Sequence, residues 1–445
     1  MRSVVTALFR PVDIAWLVVA RVLIGALLAM EVAGSLALGY IREYTEPAFH
    51  FSYLFFTWLP ALPPAGMVGL HLLIIGLGIA VAAGWRFRLT APALCVAFTG
   101  LFLAEQTRYI NHFYLYCLLA GLLALSPAHC AASADVRAGR VAPSATTPIW
   151  TRWLLQFQLG LVYFFAGLAK LNPDWWAGAS LRVWLAPKAH YLLIGPLLAQ
   201  PWLPVWMSRA GLAFDLLLVP LLLWRRTRPL ALAAAVFFHI SNVLIFGLGT
   251  FPWFSLGLTV CLFLPPSWPR RAPGLRRWVA ARVPLPSLSA KLAIPRQAPV
   301  LVTFLLLYCT VQLLVPLRYL LYPGDVHWTE EGHQFAWHMM LRSKTGSVYY
   351  HVRRPNGQLD IVDPTRYLTP RQQHYLLSNP DALLQFAHFL ARDYQQRGLG
   401  PVAVYAVSSV RLNGRLPRPL VAPDVNLAAL PRQLAPYPWI SEMPE

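Results

Sequence analysis

Apolar residues along this chain fall into nine long runs that are separated by short polar or basic stretches. The runs occupy residues 14–38, 65–84, 90–106, 110–127, 151–171, 209–224, 229–248, 252–267 and 299–321. Runs of this length and apolarity are typical of helices that cross a lipid bilayer. The pattern predicts an α-helical polytopic membrane protein with about nine transmembrane helices.

The pattern changes after residue 322, where polar residues become frequent. Residues 348–362 alternate around a Pro-Asn-Gly turn and predict a β-hairpin, and residues 402–416, with an Asn-Gly pair, predict a second. Between them, residues 379–398 predict a helix, because Asn-Pro-Asp favours a helix start and Gly a helix end. The sequence therefore predicts a small C-terminal α+β domain.

We expect two domains: a multi-span membrane domain at 1–322 and an extramembrane α+β domain at 323–445. The composition agrees, because 57% of the residues are hydrophobic and only 12% are charged. Such proportions are typical of polytopic membrane proteins.

The formal net charge is +19, which could indicate a nucleic-acid-binding face. The arginines instead cluster in short loops, most densely at 270–296, which also holds Lys291. Such clusters mark cytoplasmic loops, so we exclude nucleic acid as a partner. The distribution places the N-terminus in the cytoplasm and the C-terminal domain outside. The Arg- and Ala-rich composition favours a bacterial plasma membrane.

Lys170 is the most informative residue, because it lies in the apolar run at 151–171. Desolvation disfavours a charged amine, and an ionisable residue inside a membrane is by default a candidate functional group. The alternative is that Lys170 lies near enough to the helix end for its amine to reach the membrane surface.

Other polar residues also interrupt the apolar runs. Asp215 lies in the sixth run, and His239 and Asn242 lie one helical turn apart in the seventh. The remaining ones are Asn111 and His112, which open the fourth run, His129, which closes it, and Arg21 and Glu31 in the first. Such residues either hydrogen-bond helices together or line a pocket for a ligand that enters from the bilayer. We assign Arg21 and Glu31 to helix packing.

Five cysteines without paired spacing indicate neither a disulfide framework nor a metal site. The C-terminal histidines are irregularly spaced, so we expect no metal. The usual nucleotide-binding, serine-hydrolase and zinc-protease motifs are absent from the sequence.

Four segments, in order, resemble one known family. They are Tyr163-Phe-Phe-Ala-Gly-Leu-Ala-Lys-Leu-Asn-Pro-Asp-Trp175, Asn111-His-Phe-Tyr-Leu-Tyr116, Phe238-His-Ile-Ser-Asn242 and Phe335-Ala-Trp-His-Met-Met340. The chain resembles the vitamin K-dependent γ-glutamyl carboxylases, whose membrane part is called the horizontally transferred transmembrane (HTTM) domain. The resemblance runs from about residue 10 to 440.

The resemblance implies a carbon–carbon lyase class of enzyme that carboxylates glutamate in a peptide or protein. Its cofactor would be reduced vitamin K, with dioxygen and carbon dioxide as co-substrates. Oxidation of the reduced naphthoquinone would supply the strong base, and Lys170 would deprotonate the hydroquinone. His129 resembles a family histidine that assists this step. The remaining candidates for the cofactor and substrate pocket are Asn111, His112, Asp215, His239, Asn242 and Trp337.

Three departures from the family pattern bear on the substrate. The family's paired lysines are Ala169 and Lys170 here, and His338 stands where the animal enzymes have an acidic residue. The animal enzymes are also longer, so we expect part of their propeptide-recognition apparatus to be absent.

Two other classes of protein remain as alternatives. One is a non-enzymatic membrane protein of the same fold, acting in toxin maturation or immunity or as a lipid- or quinone-binding scaffold. The other is a transporter, which predicts internal repeats that are not evident in this sequence.

Overall fold

A computed structural model describes residues 2–286 and 294–443, so Lys291 lies outside the described residues. Each of the nine predicted apolar runs contains a helix. These helices are α1 (Ala15–Ala37), α2 (Pro64–Ala83), α3 (Phe87–Leu103), α4 (Asn111–Ala124), α5 (Trp150–Ala169), α6 (Leu203–Leu223), α7 (Arg228–Phe246), α8 (Phe251–Phe263) and α9 (Ala298–Leu314). Most helix ends lie within four residues of the predicted ones, but α6 begins six residues before its run and α9 ends seven residues before its run does.

Five helices of the described chain are long and apolar enough to cross a membrane, as judged by length and composition. They are α1, α2, α6, α7 and α9, the last continuing as a 3₁₀ helix to Leu321. Helices α3, α4 and α8 are apolar but shorter. The chain is thus an integral membrane protein, and the count of nine spans stays a prediction.

Helices α1 and α2 cross in close contact, because each has a glycine at the crossing point. A methyl carbon built on Gly25 would lie 2.6 Å from the carbonyl oxygen of Gly78, and one built on Gly78 would lie 2.7 Å from that of Gly25. Small residues allow helix backbones to approach in this way within membranes.

Arg21 of α1 joins the end of α2 to the 128–132 segment that follows α4, in agreement with its assignment to helix packing. Its guanidinium donates hydrogen bonds to the backbone oxygens of Ala82, Ala128, Ala131 and Ala132, at 2.6–3.2 Å. These four hydrogen bonds use most of the N–H donors of the guanidinium, so this buried cation serves helix packing.

Short elements connect the long helices. Strands β1 (Pro11–Asp13) and β2 (Thr146–Pro148) pair antiparallel. The unlabelled short helices are Arg2–Leu8, Arg42–Thr45, Ala134–Arg137, Pro173–Trp176, Ala179–Leu185, Gly195–Leu198, Arg276–Arg282 and Val326–Thr329. The 172–208 connection carries exposed Leu192 and Trp202 in its turns and exposed Trp206 at the start of α6, as expected for a segment at the membrane interface.

The C-terminal part contains a three-stranded antiparallel sheet and two helices. Strands β3 (Lys344–Arg353), β4 (Leu359–Val362) and β5 (Ala403–Leu412) are arranged in the order β4-β3-β5. One face of β3 and β5 is buried against α10 (Pro370–Ser378) and α11 (Pro380–Gln396), and the other is exposed. Asn379 caps α11 through its side chain. The first predicted hairpin and the helix are confirmed.

The second predicted hairpin is wrong in extent. After Asn413 and Gly414 the chain returns beside β5, but only Arg418 pairs, with Val410. Pro417 and Pro419 flank Arg418 and lack an N–H, so a continuous ladder of hydrogen bonds cannot form there.

A cluster of polar contacts joins the C-terminal part to the loop that follows α5. The two guanidinium nitrogens Nη1 and Nη2 of Arg415 lie 2.6 and 2.7 Å from the carboxylate oxygens of Asp174. The amide of Asn413 donates to the same carboxylate at 2.7 Å. The loop next to Lys170 is therefore fixed by residues of the sheet domain.

We predict that Gly25→Ala destabilises the membrane bundle by about 1–3 kcal/mol, because the added methyl overpacks the α1–α2 crossing. Gly34→Ala is the matched control, since a methyl there meets no atom within 4 Å. Thermal unfolding of both variants in detergent measures the difference. Equal melting temperatures for the two would contradict the proposed close crossing.

Candidate functional site

A cavity of about 550 Å³ lies between the first segment of the C-terminal part and the ends of the membrane helices next to it, which are called the outer ends below for this proximity alone. Most of its wall is apolar and aromatic, including Trp184, Phe238, Phe246 and Phe251. Six of the residues predicted from the sequence line it: Asn111, His112, Lys170, Asp215, His239 and Asn242. The structure therefore brings together residues from α4, α5, α6 and α7.

Lys170 ends α5 and is 7% exposed, so its amine does not extend to the membrane surface. Its Nζ atom lies 2.6 Å from Oδ2 of Asp215 on α6 and 3.2 Å from the carbonyl oxygen of Ala166. The same nitrogen lies 5.1 Å from the ring centroid of Trp175. Lys170 is thus ion-paired with Asp215 within the cavity.

The close approach of α5 and α6 depends on Gly167. A methyl carbon at this position would lie 2.6 Å from a side-chain carbon of Leu216 and 3.2 Å from its backbone nitrogen. Leu216 adjoins Asp215, so the absence of a side chain at Gly167 lets the carboxylate reach the amine one turn later.

A hydrogen-bonded group of three side chains lies further along the cavity wall. The hydroxyl of Tyr163 lies 3.0 Å from Nε2 of His239 and 2.8 Å from Oγ of Ser255. Tyr163 precedes Lys170 by seven residues, two turns of α5, so both face the same side of the helix. This spacing is the sequence signal by which Tyr163 could have been found.

Glu31, which we assigned to helix packing, joins α1 to the start of α8 and also lines the cavity. Its carboxylate accepts a hydrogen bond from the hydroxyl of Thr250. His112 lies on the same cavity wall, where its ring stacks on Phe251 at 5.1 Å between centroids. No sequence signal separates a cavity-lining acid on a first span from one that joins two helices.

The segment over the outer end of the cavity has an unusual backbone. Phe335, Trp337 and Met340 have φ values of 62°, 61° and 49°. This left-handed region disfavours bulky side chains, and such strain persists only where surrounding contacts enforce it. The strain therefore indicates a segment held in place by contacts around it.

Asn111 and Tyr109 supply those contacts from the start of α4. The side-chain amide of Asn111 donates to the carbonyl oxygen of His338 at 3.0 Å, and the hydroxyl of Tyr109 accepts from the N–H of Phe335 at 2.6 Å. The Tyr109 hydroxyl donates in turn to Asn111 Oδ1 at 3.0 Å. Asn111 thus positions the segment that closes the cavity.

The structure does not bring His129 to Lys170. His129 lies beyond the end of α4, whereas His112 lies near its beginning, and a 14-residue helix is about 21 Å long. Its ring stacks on Phe87 at 5.1 Å, close to the carbonyl groups that bind Arg21. In the sequence, His112 and His129 bound the same apolar run. In the structure they lie at opposite ends of the helix that this run forms.

Trp337 lies behind the cavity wall rather than on it. Its ring is fully buried and stacks on Tyr114 at 4.9 Å between centroids. The neighbouring residues on the strained segment, His338, Met339 and Met340, do line the cavity. Trp337 is therefore part of the framework that supports them.

Three histidines of the C-terminal part are buried near this end of the cavity. Burial, together with the neighbouring His327, lowers the pKa of His338 to about 3. Burial likewise lowers the pKa of His333 to about 3 and that of His327 to about 4. All three rings are neutral at pH 7, so each can accept or donate a hydrogen bond.

A buried charge cluster lies beside these histidines. Glu330 accepts hydrogen bonds from the guanidinium of Arg342 and, at 2.8 Å, from the amine of Lys344. Arg342 lines the cavity, and burial lowers its pKa to about 10. Glu330 therefore links Arg342, which lines the cavity, to Lys344 of strand β3.

Comparison with known protein families gives two matches that together span most of the chain. Residues 9–268 match the HTTM domain, which is more than half of the chain. Residues 297–445 match the vitamin K-dependent gamma-carboxylase lumenal domain. No solved structure matches the chain.

We predict that acidification destabilises the fold between about pH 6.5 and 4. An unfolded histidine protonates near pH 6.5, whereas the three buried rings protonate only at about 3 to 4. The unfolded state therefore binds more protons in this window, and stability falls as the pH falls.

The variant His338→Leu lacks one of these groups. Its melting temperature should therefore fall less between pH 7 and pH 4.5 than that of the parent protein. Thermal unfolding in detergent at both pH values measures this. The same loss in both proteins would contradict a neutral, buried His338.

Proposed function

Because the chain belongs to the vitamin K-dependent gamma-carboxylase family, we propose that it couples oxygenation of a reduced naphthoquinone to carboxylation of glutamate in a peptide or protein. This would make it a carbon–carbon lyase of the membrane. The observation that carries the proposal is the buried Lys170–Asp215 pair on the wall of a largely apolar cavity.

The cavity suits a bicyclic, lipid-soluble hydroquinone in size and in lining. Sites for small organic ligands usually measure about 300–1,000 Å³ and combine apolar walls with a few polar groups. Aromatic residues form much of this wall, and Lys170, His239, Asn242 and Glu31 supply polar atoms. When bound with dioxygen, a reduced naphthoquinone supplies the strong base that removal of a glutamyl γ-proton requires.

Lys170 is the residue that we assign as proton acceptor. An amine can accept a proton only after it has lost its own, and Oδ2 of Asp215, at 2.6 Å from Nζ, is the nearest acceptor. Transfer along this hydrogen bond would leave a neutral amine facing the cavity. A positioned base of this kind contributes about 10²–10⁴-fold to a rate.

The residues around the pair keep water away from it. Lys170 and Asp215 are 7% and 5% exposed, and Trp175 covers the amine. Exclusion of water strengthens electrostatic interactions within the site and protects reactive species from side reactions. Tyr163, His239 and Ser255 add a hydrogen-bonding group that can orient a polar ring substituent.

We place the glutamate-containing substrate on the side of the C-terminal part, residues 323–445. Positive charge in the loops on the other side predicts that this part lies outside the cytoplasm, in a bacterial plasma membrane. The quinol would then enter from the bilayer and the peptide from the aqueous phase, so that the two meet at the cavity.

A second candidate is a quinone-binding scaffold without activity. The same cavity would hold the ring, and a lysine paired with a carboxylate can serve structure alone. This function differs from the first in one respect: it does not require proton transfer by Lys170.

We predict that Lys170→Ala abolishes both quinone epoxide formation and incorporation of labelled carbon dioxide into a glutamate peptide, by at least about 10²-fold. The assay uses detergent-purified full-length protein with reduced vitamin K. Lys188→Ala is the matched control, because Lys188 lies on the outer loop with its amine over Tyr191. Undiminished activity of Lys170→Ala, with the variant folded, would favour the scaffold.

We predict that Asp215→Asn also lowers both activities by at least about tenfold, because an amide retains an oxygen acceptor but cannot take up the proton from Lys170. Gel filtration and thermal unfolding report whether the variant folds. Activity equal to that of the parent protein would show that Asp215 is only a counter-ion.

A further inference from the structure

A groove of about 410 Å³ runs between α5 and α6 on the surface of the membrane domain. Its wall is mostly apolar, and three of its side chains, Trp153, Phe164 and Leu223, are 43–58% exposed. Exposed apolar side chains on membrane helices face lipid, so the groove opens towards the bilayer. Among the lining residues it shares only Asp215 with the cavity described above.

The length of the groove matches one leaflet of a bilayer. On α5 its lining runs from Trp153 to Phe164, and eleven residues of α-helix rise about 16 Å. The hydrocarbon core of a bilayer is about 30 Å thick, so one leaflet measures about 15 Å. A single acyl chain that lies along the two helices would therefore extend through most of the groove.

Arg228 lies at the end of the groove that is remote from Asp215. Its Nε atom donates to the carbonyl oxygen of Leu222 at 2.8 Å, and its Nη2 atom donates to that of Leu223 at 3.3 Å. Leu223 is the last residue of α6 and lines the groove. The guanidinium of Arg228 is therefore next to the groove wall.

Arg152 lies at the same end, on the first turn of α5. Its Nε and Nη2 atoms donate to the carbonyl oxygen of Leu262 at 2.9 and 2.7 Å, and Nη2 also donates to that of Leu264. Phe263, which lies between these two residues, lines the groove. The positive charges of Arg152 and Arg228 act on each other, so two guanidiniums lie near this end of the groove.

These arginines have no acidic partner. Arg152 caps the end of α8 and Arg228 caps the end of α6, but a helix C-terminus carries only about half a negative charge. None of the ion pairs among the described residues includes Arg152, Arg228 or the exposed Arg225 and Arg226 of the α6–α7 loop. Helix capping therefore leaves net positive charge at this end of the groove.

We propose that the groove binds one anionic phospholipid, with an acyl chain between α5 and α6 and the headgroup phosphate on Arg228 and Arg152. Arginine binds phosphate through charge-assisted hydrogen bonds, and basic residues at the ends of membrane helices attract anionic lipids. Exposed Trp153 and Trp224 at the same end are typical of the headgroup level of a bilayer. The proposal does not depend on the carboxylase function.

Two other occupants match only one half of the site each. The isoprenoid chain of a quinone would fit the groove, but it carries no charge that the arginines could bind. Free phosphate would bind the arginines, but it would leave the apolar groove to other molecules. A phospholipid satisfies both halves, because its phosphate and its acyl chain are joined in one molecule.

The experiment measures thermal unfolding of the full-length protein in detergent as lipid is added. Dioleoyl phosphatidylglycerol, which is anionic, is compared with dioleoyl phosphatidylcholine, which has the same chains and no net charge. A ligand that binds the folded state raises the melting temperature. We expect phosphatidylglycerol to reach half of its maximal effect at a concentration about tenfold lower, the effect of one charge-assisted hydrogen bond. Equal effects of the two lipids would overturn the proposal.

Variants of Arg228 test the headgroup site. Arg228→Gln should abolish the preference for phosphatidylglycerol, whereas Arg228→Lys should retain it, because lysine keeps the charge but not the planar fork of N–H donors that caps α6. Each variant is compared with its own melting temperature in the absence of lipid, so that loss of the cap does not affect the result. An unchanged preference in Arg228→Gln would contradict the site.

Arg276→Gln is the matched control for charge. Arg276 is exposed, forms no ion pair in the part of the chain that the structure describes, and lines neither the groove nor the cavity. This variant should prefer phosphatidylglycerol as the parent protein does. Loss of the preference in Arg276→Gln as well would mean a general attraction to the basic loops and would refute a site at Arg228.

Gly160→Leu tests the groove without a change of charge. Gly160 lines the groove, and a methyl carbon there would lie 3.6 Å from the nearest side-chain atom of Val219, which is an ordinary contact. The variant should therefore fold, and its longer side chain should occupy the groove. We expect the stabilisation by phosphatidylglycerol to be lost, and an unchanged response would refute binding of a chain between α5 and α6.

Two further additions distinguish the other occupants. Inorganic phosphate should not raise the melting temperature, and stabilisation equal to that by phosphatidylglycerol would assign the arginines to free phosphate and refute the lipid site. Menaquinone should not displace phosphatidylglycerol, as measured by native mass spectrometry of the protein with bound lipid. Displacement would assign the groove to a quinone chain and would also refute the proposal. No outcome depends on carboxylation, so the carboxylase function can fail without affecting this test.

Discussion

The ion pair between Lys170 and Asp215 constrains the arrangement of the membrane helices around the cavity. Charges can be buried in an apolar interior only when they are paired, so α5 and α6 must lie side by side at this depth. Gly167 permits the approach by leaving room for Leu216. Asn172 then caps the short helix at Pro173–Trp176, and this helix presents Trp175 to the amine.

Much of the fold could be predicted from the sequence, because hydrophobicity in a membrane is a local property. Each apolar run contains a helix, and the single lysine in the fifth run lines the cavity. The partner of Lys170 could not be predicted in this way, since Asp215 lies 45 residues away and the pairing depends on which helices are neighbours. For the same reason the sequence could not show that His129 lies at the opposite end of α4 from the cavity, or that Glu31 lines the cavity as well as joining α1 to the start of α8.

The outer end of the cavity shows how the two parts of the chain cooperate. The strained segment at 335–340 is held from the membrane side by Asn111 and Tyr109. The loop after Lys170 is held from the sheet domain by Arg415, which binds Asp174. Each part therefore holds a segment of the other part that borders the cavity. A rearrangement of the sheet domain would consequently move the loop next to Lys170.

The choice between an enzyme and a scaffold depends on why a protein would bury an ion pair at all. Apolar residues of similar volume often stabilise a protein as well as a buried pair does, or better, so stability is a weak reason for the pair. A scaffold for a quinone needs an apolar cavity and a few hydrogen bonds, which Tyr163, His239 and Ser255 already supply. Proton transfer by the amine, in contrast, requires a proton acceptor such as the Asp215 carboxylate, 2.6 Å away. The pair is therefore better explained by chemistry than by structure.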